Sequence, residues 1–180
     1  MHDAHIRLAL RLGANAICEK PLVLNPWNLD ALQELENESA GKVYTILQLR
    51  VHPVLLELKR KLDIQHSHGD KPVSRTKHQV ELTYITSRGP WYKYSWKGDP
   101  HKSGGIATNI GIHFFDLLIW LFGKVKSSEV HNSTESKMSG FIELEQANLS
   151  RDLSGVALAK PETLVQTDVN GSYRLTGMNF

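Results

Sequence analysis

The stretch from Gly104 to Gly123 constrains this chain more than any other. It reads Gly104-Gly105-Ile106-Ala107-Thr108-Asn109-Ile110-Gly111-Ile112-His113-Phe114-Phe115-Asp116 and runs on through Leu117-Leu118-Ile119-Trp120-Leu121-Phe122 to Gly123. Ile110, Phe114, Leu117, Leu118 and Leu121 fall at helical spacing, and Gly123 is a natural stop. The spacing predicts a buried helix entered through a glycine-rich polar turn. His113 and Asp116 are three apart and share a face, and Asn109 lies four residues before His113 on roughly the same side. A stripe of Asn, His and Asp on an apolar helix is costly to bury without partners. His113 is either a core histidine bonded to Asp116 or to backbone, or a general acid/base, since imidazole titrates near neutral pH. The stripe alone does not decide.

A second stretch bears on the choice. Ala14-Asn15-Ala16-Ile17 leads into Cys18-Glu19-Lys20-Pro21-Leu22, which reads as a short strand ending in a Lys-Pro turn, because Pro21 cannot continue a central ladder. Glu-Lys-Pro alone occurs in many surface turns. Followed downstream by Gly-Gly-x-x-x-Asn-x-Gly-x-His-x-x-Asp, it resembles the glucose-fructose oxidoreductase/inositol dehydrogenase/MocA family of NAD(P)-dependent sugar dehydrogenases. Two further runs, Cys18 to Asn28 and Arg88-Gly89-Pro90-Trp91-Tyr92-x-x-Ser95-Trp96-Lys97-Gly98-Asp99, are similar to one branch. That branch is the UDP-N-acetylglucosaminuronate 3-dehydrogenases of bacterial surface-polysaccharide synthesis, the WlbA/WbpB kind. The resemblance runs from about Asp3 to about Leu149 and fades after Asn148.

Composition narrows the alternatives. The 180 residues suffice for one sizeable domain or a domain plus a fragment. A hydrophobic share of 41% and a charged share of 22% are ordinary for a globular chain. A net charge of +2 argues for neither nucleic acid nor a membrane surface as partner. The single cysteine, Cys18, excludes an internal disulfide and reads as buried filler. The N-terminus lacks the basic and apolar regions of a signal peptide. The longest apolar run, Phe114 to Phe122, is short of the ~20 residues that span a bilayer. The expected location is the cytoplasm.

In chain order, Asp3 to Gly13 predicts an amphipathic helix with Ile6, Leu8, Ala9, Leu10 and Leu12 on its apolar side, and Arg7 and Arg11 towards water. Ala14 to Cys18 predicts a strand. Asn25 caps a helix with Pro26 at its first position, running from Trp27 to about Ser39 with Leu29, Leu32 and Leu35 inward. Val43 to Val51 predicts a strand and Val54 to Leu62 a helix. Helix, strand, helix, strand is the grammar of a parallel α/β sheet. Gln65 to Pro72 reads as a loop, and His66-x-His68 lacks a third ligand at metal spacing, so no metal is expected. Lys77 to Ile85 alternates as a half-buried strand with Val80, Leu82 and Tyr84 inward. Val125 to His131 and Gly140 to Asn148 predict two more strands around a turn at 132–136. Ser150 to Lys160 lacks the aromatics that family members place there. Asn170-Gly171 is a strong turn signal between Thr163–Asp168 and Ser172–Thr176.

No Gly-x-Gly-x-x-Gly occurs, although this fingerprint belongs on the first strand-turn-helix of a dinucleotide-binding domain. In the resembled family it lies upstream of a Pro-Asn-x-x-His segment, whose end His2-Asp3 resembles. The expectation is a chain short at both ends. Its fold class is α/β (α+β): the remnant of a Rossmann domain over 1–40, then a mainly antiparallel open sheet over 41–180 with helices packed on one face.

The resemblance also implies roles. Lys20 and His113 match the family's two catalytic positions, with His113 as base and Lys20 orienting the hydroxyl. His2, Glu19, Lys20 and Pro21 would border the NAD site, and Asn109 stands where many members have Asp. Asp116 would hold the histidine tautomer or cap structure. Trp91, Tyr92, Tyr94 and Trp96 interleave with Arg88 and Lys97. Flat rings and cations suit a sugar nucleotide, though a packed lid over the core would use the same residues. The resemblance favours Arg88, Trp91, Tyr92, Trp96, Lys97 and Asn109 as substrate residues, with NAD as cofactor, a UDP-sugar as substrate and a homo-oligomer through the C-terminal sheet. A chain completed by a separate N-terminal polypeptide, a non-catalytic assembly module and a sugar-nucleotide binder without cofactor are the other readings.

Overall fold

The computed structural model describes residues 2–67, 77–85, 90–134, 137–154, 164–167 and 173–176. Chain order begins α1 (Asp3–Arg11), β1 (Ala16–Cys18), α2 (Trp27–Glu38), β2 (Val43–Thr45), a 3-10 turn (Gln48–Val51) and α3 (Pro53–Ser67). β1 and β2 pair in parallel, with Ala16 opposite Val43 and Cys18 opposite Thr45. The expected helix-strand-helix-strand grammar therefore holds. Ile6, Leu10, Cys18 and Leu32 form a small core under these strands. Asn25 caps α2 as expected, its Oδ1 accepting from the Trp27 amide at 3.1 Å.

Several expectations for this part need correcting. The strand foreseen over Val43 to Val51 stops at Thr45, where its three-residue partner also ends. The chain then winds into a 3-10 turn that buries Leu49. The apolar stripes are narrower than their composition: Leu8, Leu12, Leu29 and Leu56 are exposed, while Ile6, Leu10, Leu32 and Leu55 are buried. Helix α3 continues to Ser67, past the loop start expected at Gln65, and an i,i+4 Lys59–Asp63 bond of 2.7 Å supports its exposed side.

The second half continues with β3 (His78–Ile85), α4 (Trp91–Tyr94), a 3-10 turn (Trp96–Gly98), α5 (Pro100–Ser103), a π-helical turn (Ala107–Gly111) and α6 (Ile112–Phe122). The strands β4 (Val125–Ser133), β5 (Lys137–Leu144), β6 (Ala147–Ser154), β7 (Leu164–Thr167) and β8 (Tyr173–Thr176) complete it. The sheet order is β4-β5-β6-β3-β8-β7. The pairs β4–β5, β5–β6 and β7–β8 are antiparallel, and β3 runs parallel to both β6 and β8. The sheet is thus mainly antiparallel, with one early strand inserted into its middle.

Here too the sequence blurred the boundaries. The strand foreseen over Gly140 to Asn148 is two strands, because the chain reverses between Leu144 and Ala147. β4 also runs to Ser133, into the turn expected at 132–136, whose residues 135–136 lie outside the described residues. β6 carries the sheet on to Ser154 without the expected aromatics, because main-chain bonding to β3 and β5 needs none. The strands foreseen on either side of Asn170-Gly171 pair antiparallel, with Leu164 opposite Thr176, and the turn itself, 168–172, lies outside the described residues.

The main core lies between one face of this sheet and helices α3 and α6. It is built from Leu55, Leu62, Val80, Leu82, Phe114, Leu117, Leu118, Leu121 and Leu144, among others. Val80, Leu82 and Tyr84 point inward, as their alternation requires. By length and mean hydropathy, the helical run Pro100–Phe122 could cross a bilayer. However, 56% of its most apolar window is buried inside the protein, so it serves as the core helix.

Candidate active site

Helix α6 does not begin where its apolar spacing does. Gly104 and Gly105 take positive φ, +74° and +72°, and the chain then makes the wide π-helical turn over Ala107–Gly111 before settling into α6. A Cβ at Gly104 would stand 2.7 Å from the Thr108 Cβ, so only glycine fits without displacement. Widened turns of this kind are frequent at functional sites because they redirect side chains at the helix entrance. Here the turn carries Asn109, and His113 follows on the first turn of α6; both are buried, at 7% and 6% exposure.

Lys20 arrives from the turn after β1, through a cis Lys20–Pro21 peptide. Its Nζ donates to the main-chain carbonyl of Asn109 at 2.5 Å and to its Oδ1 at 3.4 Å. Sequence-distant elements thus converge on Lys20, Asn109 and His113. Burial, first, and the nearby Lys20 charge, second, push the His113 imidazole down to about 4, while Glu19 and Asp116 pull the other way. At neutral pH the ring is therefore uncharged and able to accept a proton.

Asp116 has a structural partner. Both of its oxygens accept from Arg50, Oδ2 from Nε at 2.8 Å and Oδ1 from Nη2 at 2.5 Å. The guanidinium fork matches the carboxylate, so Asp116 joins α6 to the 3-10 turn. Arg50 carries no local mark of this role, because the run Val43–Val51 reads as one strand. A cation just ahead of His52-Pro53, with an acid downstream, was the only available signal.

The aromatic segment is not a lid over the core. Trp91, Tyr94 and Trp96 are 53%, 91% and 43% exposed. Trp91 and Tyr92 meet edge to face at 5.9 Å, and the Lys97 ammonium lies 5.7 Å from the Trp96 ring centre. Trp96 lines a shallow groove with His2, Pro21, Leu22, Val23, Leu24 and Lys102. Of the residues selected from sequence, His2, Pro21 and Trp96 thus share one groove, and Lys20 leads from its Pro21 end to Asn109. Lys102 was missed; its signal was the i,i+3 spacing to Asp99, with which it pairs at 3.2 Å. Arg88 lies outside the described residues, as does His68, and the His66 side chain is not described. Among the described residues no group of three or more His, Cys, Asp or Glu could hold a metal ion.

The residues present fit one end of a nicotinamide dinucleotide. A lysine ammonium and a neutral imidazole converge as a redox site on an alcohol requires.

Comparison with known proteins agrees with this arrangement. Residues 76–150 match the oxidoreductase family, C-terminal alpha/beta domain. Oxidoreductase P35 of Formosa agariphila is 30% identical over 162 residues, spanning 88% of this chain and 46% of that protein. The WlbA (WbpB) dehydrogenase of Thermus thermophilus is 53% identical with a TM-score of 0.76, spanning 85% of this chain and 47% of that one. That enzyme has been solved with NAD and alpha-ketoglutarate, and with NAD and UDP-GlcNAcA. The chain spans about half the length of these relatives. Motif, fold and similarity agree that residues 76–150 are the C-terminal alpha/beta domain of the glucose-fructose oxidoreductase/inositol dehydrogenase/MocA oxidoreductase family.

Proposed function

We propose that this chain carries the substrate-side half of an NAD-dependent dehydrogenase that oxidises a ring hydroxyl of a UDP-linked N-acetylated uronic acid. The observation that carries this reading is the meeting of Lys20, Asn109 and a neutral, buried His113 beside a groove edged by exposed Trp96. NAD, when bound, supplies the hydride acceptor. The chain's own residues must then take the hydroxyl proton as the carbon–hydrogen bond is lost. His113 accepts that proton, and Lys20, fixed by Asn109, donates to the hydroxyl oxygen and stabilises the charge developing there. An imidazole near 4 is a weak base on its own. A uronate carboxylate or diphosphate brought close would raise it towards neutrality, so an anionic substrate tunes the base that acts on it. Trp91, Tyr92, Trp96 and Lys97, with Arg88, address the sugar and its phosphates. His2, Glu19 and Pro21 border the nicotinamide end.

Residues 1–40 are assigned to the Rossmann remnant and 41–180 to the substrate domain. The enzyme is placed in the cytoplasm, in surface-polysaccharide sugar synthesis, as a homo-oligomer through the C-terminal sheet. A second reading is a sugar-nucleotide-binding or assembly module without turnover, which the exposed Trp96 groove would serve equally. The test is NADH formation by the whole chain given NAD and UDP-GlcNAcA. Formation that is lost in His113→Asn supports the dehydrogenase. Saturable sugar-nucleotide binding without any NADH supports the module.

A further inference from the structure

Helix α6 carries a single acid, Asp116, one turn beyond His113. A carboxylate so placed is within reach of its own helix neighbour, and any charge it projects onto a buried imidazole favours the protonated ring. The structure sends it elsewhere. Arg50, 66 positions away in sequence, takes both oxygens in a bidentate pair, with the Asp116 side chain 12% and the Arg50 side chain 44% exposed. Among the described residues, the charged groups bearing on His113 are Glu19 and Lys20 from the turn after β1, and Asp116 from its own helix with its charge matched by Arg50.

We propose that Arg50 is a positioning residue for His113. By holding both oxygens of Asp116, it matches the charge of the one carboxylate of α6 and ties that helix to the 3-10 turn, so that the pull of Asp116 on the imidazole is weakened. The proposal rests on the dehydrogenase reading for its functional meaning, but its test does not require turnover. A lysine cannot replace the fork, because one ammonium cannot hold both oxygens in the same plane.

The test is a pH titration of the whole chain labelled with 13C-histidine, with the His113 resonance assigned by its loss in His113→Asn. In Arg50→Gln, the His113 midpoint is expected to rise by about half a pH unit or more as Asp116 loses its partner. Arg50→Lys should give a smaller rise and carries the same test if Arg50→Gln does not fold. In Asp116→Asn the midpoint should not exceed that of wild type, and adding Asp116→Asn to either Arg50 variant should reverse its rise. An unchanged midpoint in the folded Arg50 variants, or a rise in Asp116→Asn, would overturn the proposal. A purely structural ion pair would lower thermal stability in the Arg50 variants without moving the titration, which also counts against it. An inactive wild-type chain would defeat the dehydrogenase reading while leaving this titration result interpretable.

Discussion

Lys20 and Asn109 stand 89 positions apart and meet through the Lys20 ammonium, which donates to the Asn109 carbonyl at 2.5 Å. The bond joins the turn after β1 to the widened entrance of the core helix. It also sets a cation beside His113, so one side chain both holds the site together and lowers the basicity of its imidazole.

Removing that side chain should therefore have two separable effects. Lys20→Met should reduce kcat/KM about 100-fold or more, through loss of the hydroxyl donor. In the same variant the His113 midpoint should move up from about 4, because a positive neighbour has gone. Steady-state kinetics and histidine NMR read the two effects independently. A midpoint that stays put would show that Lys20 does not act on His113.

His113 also links stability to pH. Its folded value is about 4, below the ordinary value of 6.5, so between these limits the unfolded chain binds the proton more readily. The stabilisation is complete above about 6.5 and is lost as pH falls through about 4. The melting temperature should decline over that window, and the decline should be shallower in His113→Gln. Thermal melts across a pH series check it.

The two glycines at the helix entrance should differ. At Gly105 an added Cβ meets nothing within 4 Å, so Gly105→Ala should cost only the positive-φ penalty, about 1–2 kcal/mol. At Gly104 the same penalty is joined by a clash with Thr108, so Gly104→Ala should cost more and should also disturb Asn109. Denaturant unfolding ranks the two.

Leucines that look alike in sequence should separate in the same assay. Leu117 is 0% exposed, and Leu117→Ala should cost about 2–5 kcal/mol. Leu29 is 45% exposed, and Leu29→Ala should change stability by no more than about 0.5 kcal/mol.

What could be read in advance follows from the range over which each signal acts. Period-two alternation announced β3, and Asn170-Gly171 announced the β7–β8 pairing, because both signals are local. The convergence of Lys20 with the Asn109–His113 segment was legible only through motif resemblance, since no local rule brings residues so distant together. The parallel insertion of β3 between β6 and β8 left no mark on its own residues. Leu29 misled because helical spacing identifies an apolar stripe without saying how much of it a neighbour covers. Spacing places Asp116 beside His113, while its guanidinium partner lies on a turn whose residues read locally as a strand. The π-helical entrance was invisible for a related reason: its glycines announced a turn but not its width.

On the proposed function, Lys20, His113 and the Trp96 groove together form a site for an anionic sugar nucleotide. Calorimetric titration of the whole chain with UDP-GlcNAcA, repeated with Trp96→Ala and Lys20→Met, tests it most directly. Wild type should bind saturably, and binding should weaken about tenfold or more in each variant. Absence of saturable binding to wild type, or binding indifferent to both substitutions, would contradict it.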